Sequence, residues 1–136
     1  MNNSRRNFLR QTALAGAALS MPFGKELMAM AGKSNPFGIQ LWTLRDTLPK
    51  DVKGVLAQVG KAGFTEVETF GYSVDKGFFG TSVHDFKSML DDNGLKATSN
   101  HFDFNSMIKD GTTDLVKSYI DTANHLGSEY VTVPYI

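Results

Sequence analysis

The sequence predicts an α/β fold made of three strand–helix units and a fourth strand, the N-terminal half of a (β/α)8 barrel. Segments of strand character alternate along the chain with segments of helical periodicity. Gly63, Gly94 and Gly127 recur at intervals of 31 and 33 residues, each where a helix should end. The helix-to-strand turns are short, whereas the strand-to-helix connections at residues 71–81 and 103–112 are long. In a barrel those connections form the active face.

The chain length bears on how much of a barrel is present. The sequence has 136 residues, whereas a complete eight-stranded barrel takes about 250. We therefore expect a partial barrel. A small open α/β protein is the alternative, although its sheet would keep apolar surface uncovered.

The four predicted strands lie between the helical segments. They span residues 37–42, 65–70, 96–102 and 130–134. In the second strand Glu66 and Glu68 share one face and Val67 lies on the other, because successive side chains of a strand alternate.

Three helices are predicted from apolar residues that recur with a helical period. The apolar faces consist of Val52, Val55, Leu56 and Val59, then Val83, Phe86, Met89 and Leu90, then Leu115, Val116, Tyr119, Ile120, Ala123 and Leu126. The second helix is expected over residues 82–93, where Ser82 followed by Asp85 resembles a capping box with Asp in place of Glu.

The composition excludes several classes of function. The 14 Lys and Arg residues balance 14 Asp and Glu residues, so the basic excess typical of nucleic-acid binding is missing. The sequence contains no cysteine, which excludes thiol catalysis, cysteine-ligated zinc and iron–sulfur clusters.

The first 31 residues have the features of an export signal. Arg5 and Arg6 belong to a basic region, a weakly apolar stretch follows at residues 12–23, and Ala29-Met30-Ala31 forms a small-x-small cleavage pattern. The paired arginines resemble a twin-arginine signal, which predicts a periplasmic or otherwise exported protein. An amphipathic N-terminal helix of the domain is the alternative. The predicted organisation is a signal peptide at 1–31, a linker at 32–36 and a partial barrel at 37–136.

Four segments in barrel order carry a resemblance to a known family. They are GIQLWTLRD at residues 38–46, VGKAGFTEVE at 59–68, GLKATSNHF at 94–102, and LG and VP at the two ends of 126–134. Together they resemble the sugar phosphate isomerase/epimerase family, the xylose isomerase-like TIM barrels of the AP endonuclease family 2 superfamily.

The resemblance implies a chemistry and a cofactor. It implies proton transfer next to a sugar carbonyl through an enediolate, assisted by a divalent metal (Mn, Mg, Co or Zn). The metal ligands would be Glu, Asp and His residues of later strands, beyond Ile136, so this chain should be inactive alone. A keto-sugar lyase or hydrolase and a non-catalytic sugar-binding barrel are the alternatives. The expected partners are a small-molecule sugar and the export machinery, with no nucleic acid, and homo-oligomer formation is left open.

Four residues near the ends of the predicted strands are candidate substrate-binding residues: Gln40, Trp42, Glu68 and His101. The Trp42 ring could stack on a sugar face or belong to the core. Glu68 could bind a sugar hydroxyl or pair with a nearby cation. His101 could contact substrate, ligate metal or be a hydrogen-bonded structural residue. No catalytic residue and no metal ligand is assigned.

The long connection after the second strand contains Phe78 and Phe79 between Gly77 and Gly80. This pattern predicts a mobile apolar flap over the site, with local packing as the alternative. His84, in the first turn of the second helix, is expected to be solvated.

Overall fold

The chain divides between Asn35 and Pro36 into two units. The structure, a computed structural model, describes residues 36–134, so the predicted signal peptide lies outside the described residues. The described strands are β1 (Gly38–Gln40), β2 (Glu66–Thr69), β3 (Tyr72–Ser73), β4 (Gly77–Phe78), β5 (Lys96–His101) and β6 (Tyr130–Thr132). The α-helices are α1 (Val52–Lys61), α2 (Val83–Asp92), α3 (Asn105–Asp110) and α4 (Asp114–Leu126).

Strands β1, β2, β5 and β6 form one parallel sheet in that order. Strands β3 and β4 pair antiparallel as a small hairpin after β2. Each sheet strand except the last is followed by a helix before the next sheet strand begins. The prediction of three strand–helix units and a fourth parallel strand is therefore confirmed.

The core lies on one face of the sheet. Val67 and Ala97 are buried there, whereas Glu66 and Glu68 on the other face are partly exposed. The buried apolar residues are Leu41, Leu48, Leu56, Val59, Val67, Phe70, Phe78, Phe86, Leu90, Leu95, Ala97, Phe102, Tyr119, Ala123 and Leu126. Within residues 36–134, none of the helices combines the length and apolar character needed to cross a bilayer.

A β-bulge sets which side chains of β5 lie beside those of β2. Val67 pairs with Ala97, but the next residue, Glu68, pairs with Ser99, so Thr98 is an extra residue without a partner on β2. The bulge reverses the side-chain alternation along β5. Ser99 rather than Thr98 consequently lies on the open face next to Glu68.

The predicted start of α2 is confirmed. The backbone N–H of Asp85 donates to the Ser82 hydroxyl at 3.1 Å, and that hydroxyl donates to the Asp85 carboxylate at 2.8 Å. The helix is followed by Gly94 at φ 66°, a left-handed conformation that glycine adopts without a Cβ clash.

The first strand is shorter than predicted. It ends at Gln40, because residues Leu41–Leu44 form a 3-10 turn. The Thr43 hydroxyl donates to the Gln40 carbonyl at 2.8 Å, and the Arg45 N–H donates to the Trp42 carbonyl at 3.1 Å. These local bonds satisfy backbone groups that a longer strand would have paired with β2.

The connection from residue 71 to residue 81 is not an irregular flap. It contains the β3–β4 hairpin, and the backbones of Phe78 and Thr81 exchange two hydrogen bonds of 2.9 Å. Phe78 is fully buried and stacks on Phe86 with ring centroids 4.3 Å apart. The flap prediction is therefore wrong for Phe78, because its ring belongs to the core. The connection from residue 103 to residue 112 likewise contains a helix, α3.

Candidate functional site

A cleft of about 750 Å³ opens at the carboxyl ends of the four parallel strands. Gln40, His101 and Thr132 are the last residues of β1, β5 and β6, and all three line it. The complete lining is Gln40, Trp42, Phe70, Gly71, Tyr72, His101, Phe102, Asp103, Thr132, Val133 and Pro134. In parallel α/β folds this end of the sheet is where ligands bind.

Glu68 joins three strands through hydrogen bonds beside the cleft. One carboxylate oxygen accepts from Gln40 Nε2 at 2.6 Å. The other accepts from the Ser99 hydroxyl at 2.8 Å and from the Thr132 hydroxyl at 3.1 Å. Because the amide nitrogen of Gln40 makes this bond to Glu68, the amide oxygen, Oε1, is available to accept a hydrogen bond in the cleft.

Two opposing effects act on the pKa of Glu68. Partial burial, the largest single effect, raises the pKa because it disfavours the charged form. The hydrogen bonds from Gln40, Ser99 and Thr132, together with the nearby charge of His101, lower it. Their sum prevails, so the pKa of Glu68 lies below its ordinary value of 4.5. Glu68 is therefore an ionised acceptor at neutral pH and a weak base, suited to orienting its neighbours rather than abstracting protons.

Trp42 presents an aromatic surface at the cleft. Its side chain is 46% exposed, although it lies directly after a buried leucine in the 3-10 turn. The Phe70 ring contacts it edge-on, with centroids 5.1 Å apart. The Arg45 guanidinium lies 5.4 Å from the centre of the indole ring, within the range of a cation–π interaction.

The opposite wall contains His101, Phe102 and Asp103. The Nδ1 atom of His101 is buried and has no hydrogen-bond partner among the described residues. The Tyr119 hydroxyl donates to the Asp103 carbonyl at 2.9 Å and so ties this wall to α4. Burial first, and then the negative charge of Asp103, raises the pKa of Tyr119. The tyrosine consequently remains a neutral donor.

The structure brings three of the four predicted site residues together. Gln40, Trp42 and His101 line the cleft. Glu68 lies next to it and reaches it through Gln40. Their roles in binding stay predictions.

Sequence reasoning missed several residues of the site. Thr132 could have been found, since it is a polar residue at the end of a strand, as Gln40 and His101 are. Phe70 was missed although it ends the predicted second strand. Tyr72 carried no such signal, because it belongs to the unforeseen hairpin after β2.

The described residues do not form a metal centre. Within residues 36–134, no three His, Cys, Asp or Glu side chains come together in a geometry that could hold a metal ion. Both carboxylate oxygens of Glu68, which lies beside the cleft, already accept hydrogen bonds. We therefore derive no chemical step through a metal from these residues.

Comparison with known proteins supports the fold and points to a class of function. Two solved structures, both described as sugar phosphate isomerase/epimerase from Parabacteroides distasonis, are each 27% identical to this chain, with TM-scores of 0.57 and 0.59. The matches cover 74% and 76% of this chain but only 39% and 43% of those chains. The chain thus spans about two-fifths of the length of these relatives.

The solved neighbours are TIM-barrel isomerases, so the described fold is part of a TIM barrel, namely three βα units and a fourth strand. No protein-family model matches the chain, and neither does any curated protein.

Proposed function

We propose that this chain is part of a sugar isomerase or epimerase and that its cleft binds a sugar or sugar derivative. The observation that carries the proposal is the meeting of Gln40, Trp42 and His101 in one cleft at the carboxyl ends of the parallel strands. The likeness to two sugar phosphate isomerase/epimerases supports it. Export through the twin-arginine pathway and a divalent metal in the whole protein remain part of the proposal.

Each residue of the cleft has a distinct role in this proposal. The exposed indole of Trp42 packs against the C–H face of the sugar ring. The Oε1 atom of Gln40, held by the bond from its own amide N–H to Glu68, accepts a sugar hydroxyl. His101 offers a ring nitrogen for a second hydroxyl. Glu68 stays ionised and keeps Gln40 in place, because its lowered pKa prevents protonation near neutral pH.

In the whole enzyme, the reaction moves a proton between neighbouring carbons. A base removes the proton from the carbon next to the carbonyl and an enediolate forms. A proton is then returned to the former carbonyl carbon, and the hydroxyl proton passes from one oxygen to the other. None of the described residues is assigned as that base. We therefore expect the isolated chain to bind sugar without converting it.

Binding can be tested with the fluorescence of Trp42, because the chain contains only one tryptophan. We expect fructose or glucose to change the emission with saturation, whereas glycerol, a polyol without a carbonyl or ring, does not. His101→Asn should weaken the sugar response. Lys53→Ala, a matched change at an exposed position on α1, should leave it unchanged. A response that never saturates, or one that glycerol reproduces, would contradict a sugar-binding cleft.

A further inference from the structure

Phe79 has an unusual backbone conformation beside the cleft. Its φ of 54° makes it the single non-glycine residue of positive φ within residues 36–134. A bulky residue rarely adopts this conformation, and it persists only where surrounding contacts hold it in place. Phe79 follows the buried Phe78 at the end of the β3–β4 hairpin, and its own side chain is partly exposed. The burial of Phe79 alone does not account for the strain.

The strained backbone directs the Phe79 ring toward the cleft wall. Its centroid lies 5.0 Å from that of Phe70, with the rings at 65°. Phe70 in turn meets Trp42 at 5.1 Å and 78°. Both contacts have the edge-to-face geometry that aromatic rings favour. Three rings thus form a continuous row, from the hairpin to the indole at the cleft.

Gly71 makes room for this row. A Cβ atom on Gly71 would lie 2.4 Å from a ring carbon of Phe79, so the ring would have to move to admit any side chain at this position. The Phe79 ring therefore lies directly against the backbone that links β2 to the hairpin. Both Phe70 and Gly71 line the cleft, whereas Phe79 does not.

We propose that Phe79 is a positioning residue that holds the indole of Trp42 in the cleft wall by acting through Phe70. Trp42 needs such support because it lies in a short 3-10 turn and is 46% exposed. The strained backbone is retained because it places the ring behind Phe70. This inference rests on the proposed function only for its effect on sugar binding. The effect on the indole itself is independent of any ligand.

The test uses the tryptophan bands of the near-ultraviolet circular dichroism of the full chain, which report how rigidly the single indole is held. Phe79→Leu keeps an apolar side chain and the same backbone requirement but removes the ring. We expect this variant to lose most of the tryptophan signal, and Phe79→Tyr, which restores the ring, to recover it. Phe64→Leu is the matched control, because Phe64 is also a partly buried phenylalanine, with its ring against Phe37 rather than in this row.

Two results would overturn the proposal. The first is an unchanged tryptophan signal in Phe79→Leu. The second is an equal loss in Phe64→Leu, which would make the loss a general loosening of the domain. If Phe79→Leu does not fold, nuclear Overhauser contacts in the unaltered chain decide the matter. Contacts from Phe79 to Phe70 and from Phe70 to Trp42 support the row, and their absence refutes it.

Sugar titration separates this proposal from the proposed function. We expect Phe79→Leu to weaken sugar binding about two- to tenfold, as the loss of one aromatic contact would. If the unaltered chain binds no sugar, the proposed function fails, while the dichroism result still decides whether Phe79 positions Trp42. If sugar binds and Phe79→Leu leaves both affinity and dichroism unchanged, the positioning role alone is refuted.

Discussion

Replacing Glu68 should change how the stability of the domain depends on pH. Glu68 accepts three hydrogen bonds from side chains on three other strands, and its pKa is lowered in the folded state. A carboxyl group with a lowered folded pKa stabilises the fold above its unfolded pKa, and this stabilisation is lost as the pH falls through the folded value. Glu68→Gln removes the charge while keeping the size of the side chain, so it should remove that part of the pH dependence.

The size of the effect follows from the hydrogen bonds. The net contribution of one hydrogen bond to the free energy of unfolding is about 1 kcal/mol, and it is larger when one partner is charged. Glu68 is partly exposed, and the Ser99 and Thr132 hydroxyls can still bond to each other at 2.8 Å after its removal. We therefore expect Glu68→Ala to cost about 1–2 kcal/mol at neutral pH. For a domain of this size that lowers the melting temperature by about 5–15 °C.

Urea unfolding of the unaltered chain, Glu68→Ala, Glu68→Gln and Glu66→Gln over a range of pH gives the measurement. Glu66 is the matched control, since it lies on the same face of β2 and makes no side-chain hydrogen bond within the described residues. The difference in the free energy of unfolding between the unaltered chain and Glu68→Gln should be largest near neutral pH. It should become smaller below pH 4.5, the ordinary pKa of glutamate. A difference that stays constant on acidification, or an equal difference for Glu66→Gln, would refute the reasoning.

Four further substitutions test stability. Ser82→Ala should lower the free energy of unfolding by about 1 kcal/mol in a urea titration, because the hydroxyl that caps α2 is lost; no change would show that the cap is dispensable. Gly94→Ala should lower the free energy of unfolding by about 1 kcal/mol. The positive φ is the single cause of this loss, because the added Cβ would meet nothing within 4 Å. Gly71→Ala should lower the free energy of unfolding by about 1–3 kcal/mol more than Gly94→Ala does, because its Cβ would overlap an aromatic ring. Equal losses in the two variants would contradict the close approach of the Gly71 backbone to that ring. Lys96→Ala should leave the melting temperature unchanged, because its ion pair with Glu129 is exposed and screened by solvent; a clear drop would mean that the pair stabilises the fold.

The order of strands and helices could be predicted because it depends on local patterns. The apolar period of α1 and the Ser82–Asp85 pair at the start of α2 lie within a few residues of one another, and both predictions are confirmed. The end of β1 could not be predicted in the same way. The apolar run continues through Trp42, and the turn depends on hydrogen bonds that periodicity does not reveal.

The site was only partly predictable, because its contacts join residues far apart in sequence. Gln40 and His101 were identifiable as polar residues at strand ends, where parallel strands place their ligand-binding groups. The bond from Thr132 to Glu68 spans 64 residues and depends on strand order and register together. The burial of Phe78 depends on Phe86, on a helix that begins after the hairpin. No local pattern encodes such a contact.

The extra residue in β5 has a consequence for how this protein is aligned with its relatives. Thr98 reverses the alternation, so Ser99 and His101 both lie on the cleft side of the sheet. A homologue of equal length that pairs here without a bulge would present the opposite set of side chains to the cleft, whereas a homologue that lacks this one residue would present the same set. Its gap therefore belongs inside the strand rather than in a loop, where insertions and deletions are usually placed. Inheritance of the polar groups of this cleft can consequently be traced only by superposing strand registers, not by matching residue letters.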